Sequence, residues 1–207
     1  MAIGGECTVI KVKICGLKRE EDIKCVNRYK PDYVGFVFSK SKRQVNLEQA
    51  KMLIGNLDSS IKSVGVFVDE ALEYVYNTSK ILSLDVIQFH GSEDEEYMKY
   101  FKEFTLWKAL KVRSREDLLN LNYECVKGIV LDNKIAGSGK SFHWHIARDI
   151  KVQEDLILAG GINEENVERA VSIINPDIVD VSSGVESHGY KDPFKIKRFI
   201  EKVRNIK

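Results

Sequence analysis

The sequence predicts an α/β protein, a single (β/α)8 barrel of the TIM type, from three observations. Short β-branched runs alternate with longer, charged stretches of helical character. Eight runs of each kind can be counted, at about 26 residues per unit over 207 residues. No Pro/Gly/Ser-rich linker or low-complexity segment interrupts the series. Most of the strand runs are apolar nearly throughout, as expected of strands covered on both faces of a parallel sheet. An open doubly wound sheet is the competing arrangement, but eight parallel strands joined by short turns favour closure.

The elements follow in order. Val9–Cys15 is the first strand, after a short extension over residues 1–8, and Lys18–Tyr29 the first helix. Tyr33–Phe38 leads to a helix at Leu47–Gly55, with Asn46 placed to cap it. Ser63–Val68 precedes Ala71–Leu82, and Asp85–His90 precedes Glu93–Phe104. Thr105–Val112 is followed by Arg115–Leu121, and Gly128–Asp132 by a glycine-containing loop and then Trp144–Ile150. Asp155–Ala159 precedes Glu164–Ile174, with Asn163 as a second cap candidate. Ile178–Ser182 precedes Pro193–Arg204, where Asp192 before Pro193 suits a helix start.

Composition narrows the function classes. Hydrophobic residues make up 43% and charged residues 30%, an ordinary globular balance. Thirty-two Lys+Arg against 31 Asp+Glu give no sequence-wide drive toward nucleic acid or an anionic membrane. The expected partner is a small molecule. Cys7, Cys15, Cys25 and Cys125 show no metal-ligand spacing and read as reduced thiols. With no signal-peptide pattern and no apolar run near about 18 residues, a cytoplasmic location is the default expectation.

In such a barrel the chemistry gathers at the C-terminal ends of the strands. The first strand ends Lys13-Ile14-Cys15-Gly16, and alternation puts Lys13 and Cys15 on one face. A lysine one layer below a thiol favours the thiolate and lowers its pKa. Taken alone, Cys15 reads first as a small buried hydrophobe; its strand-end place beside Lys13 brings the two readings level. The sixth strand ends in Asp132, and a loop holding Gly137-Ser138-Gly139 leaves it facing the barrel mouth instead of capping a helix. Gly160-Gly161 and Ser182-Ser183-Gly184 close the seventh and eighth strands, where barrels commonly bind phosphate through close backbone N–H groups. Arg43, in the Lys40-Ser41-Lys42-Arg43 loop, has the planar fork that suits a carboxylate. His90 shares a face with Gln88 and reads as a supporting group. Gly139-Lys140-Ser141 mimics the end of a P-loop, but Lys134 stands where that motif needs glycine.

Together these blocks resemble the phosphoribosylanthranilate isomerase family: Val12–Gly16, Val34–Phe38 with Ser41–Arg43, Val64–Val68, Gln88–Gly91, Leu131–Asp132, Ala159–Gly161 with Asn166-Val167, and Asp180–Glu186. They occur in the family's order over nearly the whole chain. The resemblance implies an aldose-to-ketose (Amadori) rearrangement in tryptophan biosynthesis, without cofactor or metal, by a monomer or homodimer. It implies Cys15 as general base and Asp132 as general acid. It also implies Arg43 at the anthranilate carboxylate, and Gly160, Gly161, Ser182 and Ser183 at the phosphate. An acid working near neutral pH must hold its proton, through burial or a neighbouring carboxylate, and Asp180 is a candidate neighbour of Asp132. Ala136 and His143 depart from the family pattern, as does the length of the loop after Asp132. A non-catalytic phosphate-binding barrel is the rival reading. It has no use for Cys15 or Asp132.

Overall fold

The computed structural model describes residues 9–118, 123–132, 144–148, 150 and 152–206. The glycine-containing loop after Asp132 and the N-terminal extension with Cys7 therefore lie outside the described residues.

Eight parallel strands close into a barrel in sequence order: β1 (Lys11–Cys15), β2 (Tyr33–Val37), β3 (Lys62–Phe67), β4 (Val86–Phe89), β5 (Thr105–Lys111), β6 (Gly128–Asp132), β7 (Asp155–Leu158) and β8 (Ile178–Val181). Strand alternation sorts side chains into two cores. One face of each strand packs outward against the helices, where Val12, Ile14, Val34, Phe36, Ile129 and Val179 are fully buried. The other face fills the barrel with Tyr33, Val64, Val66, Val86, Trp107, Val130 and Ile157. Tyr33 and Trp107 meet in a tilted contact, with ring centroids 4.9 Å apart. This aromatic and aliphatic fill forms a floor, and residues one or two positions further along each strand stand above it.

Among the described residues six α-helices cover the barrel: α1 (Glu20–Tyr29), α2 (Leu47–Gly55), α3 (Leu72–Leu82), α4 (Glu95–Lys99), α5 (Val167–Ile174) and α6 (Pro193–Arg204). Asn46 accepts from the Gln49 N–H and Asp192 from those of Phe194 and Lys195, so both expected caps form. Asn163 instead caps the turn before α5, accepting from the N–H groups of Glu165 and Asn166. Among the described residues, several expected helices differ in extent or type. After Lys99 the chain tightens into i→i+3 turns that carry Phe101 to within 5.3 Å of Phe89, ring centre to ring centre. Glu116–Leu118 and Trp144–Ala147 are single 3₁₀ segments.

One element was not foreseen. After β8 the chain makes a two-stranded antiparallel hairpin, β9 (Glu186–Ser187) and β10 (Tyr190–Lys191), before entering α6.

Candidate active site

The C-terminal mouth of the barrel encloses a cavity of about 240 Å3 lined by Cys15, Arg43, His90, Asp132, Gly160, Gly161, Asp180, Ser182 and Ser183, among others. Lys13, also singled out from the sequence, lies below it and does not line it. Eight strands of similar register bring the lining positions to one rim although they span most of the chain.

Cys15 ends β1 opposite Gly35 of β2. A Cβ on Gly35 would lie 2.6 Å from the Cys15 sulfur and 3.2 Å from its Cα, so the absent side chain is what gives the thiol its space. Below it, Lys13 is fully buried and its Nζ lies 2.6 Å from Asp180 Oδ2. The ion pair joins adjacent positions of β1 and β8. Burial opposes the Lys13 ammonium, but Asp180 and the Cys15 sulfur outweigh it and hold its pKa above the ordinary lysine value.

The thiol departs from expectation. Burial pushes the Cys15 pKa up, and although Lys13 and Lys191 pull it down, the outcome lies above the ordinary 9.0. Lys13 does pull in the predicted direction, but burial outweighs it, and Asp180 adds to the rise. Cys15 therefore rests as a thiol near neutral pH, and its conjugate thiolate is a stronger base than an ordinary one.

Asp132 ends β6, and its Oδ2 lies 2.9 Å from His90 Nε2. His90 Nδ1 lies 3.0 Å from the Gln88 amide nitrogen. With that amide donating to Nδ1, the ring proton sits on Nε2 and points at the carboxylate. Asp180 Oδ2 is held by Lys13. Two acceptors on the floor, Asp180 Oδ1 and Gln88 Oε1, are buried with no partner among the described residues. An unpaired buried oxygen is costly unless something donates to it, so both are suited to hydroxyl groups of a bound ligand.

Gly160 and Gly161 follow β7 with φ of 80° and 72°, a backbone conformation that glycine adopts without strain. Ser182 donates its hydroxyl to the Cys15 carbonyl at 3.0 Å, locking the loop after β8 to the end of β1. Within that loop the Val185 N–H bonds back to the Ser182 carbonyl at 3.5 Å. Arg43 stretches over Gly16, where a Cβ would meet Arg43 Cδ at 2.3 Å. Its Nε and Nη2 lie 2.7 and 2.8 Å from the two oxygens of Glu186. Lys191 also bonds Glu186, at 2.8 Å. Lys191 went unnoticed in the sequence, and Glu186 appeared only as the end of a motif. A thiol, a carboxyl group, two small-residue loops and an arginine thus meet in one concave site. That set suits proton transfer on a ligand carrying a phosphate and a carboxylate.

Comparison with known proteins points the same way. The family model described as N-(5'phosphoribosyl)anthranilate (PRA) isomerase matches residues 12–202. The chain is 84% identical over 199 residues to an N-(5'-phosphoribosyl)anthranilate isomerase of Clostridium kluyveri, covering 96% of this chain and all of that one. It is 52% identical over 203 residues to the enzyme of a Thermoanaerobacter species, again covering 96% of this chain and all of the relative. A crystal structure of phosphoribosyl anthranilate isomerase from Thermotoga maritima superposes with a TM-score of 0.86 at 38% identity, covering 94% of this chain and 98% of that one. Another, in complex with reduced 1-(o-carboxyphenylamino)-1-deoxyribulose 5-phosphate, gives 0.84 at 36% identity over the same shares.

Proposed function

Because the chain belongs to the N-(5'-phosphoribosyl)anthranilate isomerase family, we propose that Cys15 is the general base and Asp132 the general acid of its reaction. The protein is an isomerase of tryptophan biosynthesis. It converts the aminoaldose N-(5'-phosphoribosyl)anthranilate into the corresponding 1-amino-1-deoxyribulose 5-phosphate.

Each side chain then has a task set by its position. Asp132, steadied by His90, gives its proton to the ribose ring oxygen. The C1–O bond breaks as the nitrogen lone pair forms the iminium. Cys15 as thiolate takes the proton from C2, and the released electron pair neutralises the iminium to an enolamine. Proton loss from the C2 hydroxyl and gain at C1 complete the ketose. Each positioned acid or base supplies on the order of 10²–10⁴ in rate. Gly160, Gly161, Ser182 and Ser183 hold the phosphate, and Arg43 meets the anthranilate carboxylate. Asp180 Oδ1, unpartnered among the described residues, accepts from a sugar hydroxyl. No step in this scheme calls for a metal or cofactor.

The observation that carries the reading is that the thiol of Cys15 and the carboxyl of Asp132 line one cavity with the small-residue loops after β7 and β8. The test is the fluorescence decay of phosphoribosylanthranilate with purified protein, with and without a chelator. Cys15→Ser and Asp132→Asn are each expected to lower kcat by at least about 10², with the fold intact. Near-wild-type turnover by either removes that residue from its role, and loss of activity on chelation overturns the metal-free scheme. The protein acts in the cytoplasm as a monomer or homodimer. A Thermotoga maritima relative is described as dimeric, with monomers generated from it. Among the described residues no helix is long and apolar enough to cross a membrane.

A further inference from the structure

The unforeseen hairpin after β8 has a specific geometry. His188 and Gly189 both have positive φ, 52° and 79°. A two-residue turn of that kind matches the twist of paired strands and sets their register tightly. Lys191 therefore stands directly opposite Glu186. Lys195 fastens the hairpin to α6 by donating to the Glu186 carbonyl at 2.7 Å.

The pair so made is nearly sealed from solvent, with side chains 1% and 11% exposed for Lys191 and Glu186. Lys191 Nζ also donates to the Ser182 carbonyl at 2.9 Å, in the loop that follows β8. One ammonium thus ties the carboxylate of Glu186 to that loop. Glu186 passes the constraint on to Arg43 through two short parallel bonds.

Which bonds these are decides what Arg43 can do. A guanidinium has a side edge, made by Nε and Nη2, and an end edge, made by Nη1 and Nη2, each able to grip a carboxylate with two N–H groups. Glu186 occupies the side edge. The end edge is the one left to form a fork with a ligand. An arginine without such a brace would lose rotamer freedom on every binding event.

We propose that Glu186 and Lys191 are positioning residues for recognition of the aryl carboxylate. They hold Arg43 by its side edge so that its end edge is preset for the substrate, and they couple that grip to the loop after β8. This rests on the assignment of Arg43 to the carboxylate made above. Charge alone gives the opposite expectation, which makes the inference testable. Arg43, Lys191 and Glu186 together carry one net positive charge, and neutralising Glu186 raises it to two. Simple attraction then predicts tighter carboxylate binding, whereas loss of a preset fork predicts weaker binding.

The experiment measures inhibition constants of two ketose analogues that differ only at the ring: reduced 1-(2-carboxyphenylamino)-1-deoxyribulose 5-phosphate and its unsubstituted phenylamino counterpart. Their ratio reports carboxylate recognition, and inorganic phosphate is the control ligand. Arg43→Ala tests the underlying assignment: a collapsed ratio upholds it, and an unchanged ratio overturns it and the inference together. With that assignment upheld, Glu186→Gln is expected to lower the ratio at least tenfold through the carboxylated analogue alone, with phosphate inhibition unchanged. In the Arg43→Ala background the same change is expected to do nothing further. Glu186→Asp, which keeps the charge beside Lys191 but draws the carboxylate back from Arg43, is the second variant and also lowers the ratio. The inference fails if Glu186→Gln or Glu186→Asp leaves or raises the ratio. It also fails if Glu186→Gln weakens both analogues equally with or without Arg43.

Discussion

Gly35 stands beside Cys15 so closely that one added methyl would lie 2.6 Å from the sulfur. The thiol could swing aside, but the Cys15 Cα, 3.2 Å from the same point, cannot move without shifting β1. Gly35→Ala is therefore expected to fold at a cost of about 1–3 kcal/mol. It should lose between about 10 and 10² in kcat through misplacement of the base. Thermal melts and steady-state kinetics read the two effects. Wild-type kcat in a folded variant would mean that the position of the sulfur does not limit the reaction.

The raised pKa of Cys15 sets the alkaline behaviour. The thiolate is the working form, and the thiol holds its proton above the ordinary 9.0. The thiolate fraction should keep climbing past pH 9 with no plateau near neutrality, and kcat/KM should rise with it until Asp132 loses the proton it donates. Alkylation of Cys15 by iodoacetamide, followed by peptide mass spectrometry, should trace the same rise. A plateau in both curves below pH 8 would show that burial does not dominate this thiol.

Lys13 and Asp180 are buried together, and removing one partner strands the other. Lys13→Met is expected to destabilise the fold by about 3–5 kcal/mol. Adding Asp180→Leu should recover most of the loss, because a neutral apolar pair needs no compensation. Urea midpoints for the single and double variants decide it. A double variant no more stable than the single one would show that the pair itself supports the barrel.

Glu186 governs the acid limb. Burial alone would raise its pKa, but the bonds from Arg43 and Lys191 bring it down to about 2. A carboxylate depressed on folding contributes stability above its ordinary pKa, 4.5, and that contribution is lost as pH falls toward the folded value. It amounts to at most about 3 kcal/mol. Urea midpoints of the native protein should fall between pH 4.5 and 2 more steeply than those of Glu186→Gln. Parallel curves would leave Glu186 without a stabilising charge interaction.

Most of this architecture is legible in the sequence because barrel strands are apolar on both faces and announce themselves as continuous runs. Their ends then locate the site, so Cys15, Asp132, Arg43 and the Gly160 and Ser182 loops could be named before any coordinates. What escaped was relational. The bond between Lys13 and Asp180 depends on which strands meet at closure, and no local pattern encodes that register. The direction of the Cys15 shift depends on how deeply the folded barrel buries the thiol. The hairpin of Glu186 and Lys191 has strands two residues long. Its His188-Gly189 turn is also a weaker signal than Asn-Gly.

The ion pair under Cys15 has a consequence for synthesis as well as for catalysis. Lys13 lies in the first strand and Asp180 in the last, 167 residues apart along the chain. A chain emerging from the ribosome exposes its lysine long before the aspartate exists. The floor of the site is thus completed only when the two ends of the sheet have met, a contact of very high sequence separation and correspondingly slow to form. Enzymatic turnover in a refolding mixture is then a clock for barrel closure, reading the last strand's arrival and not the collapse that precedes it.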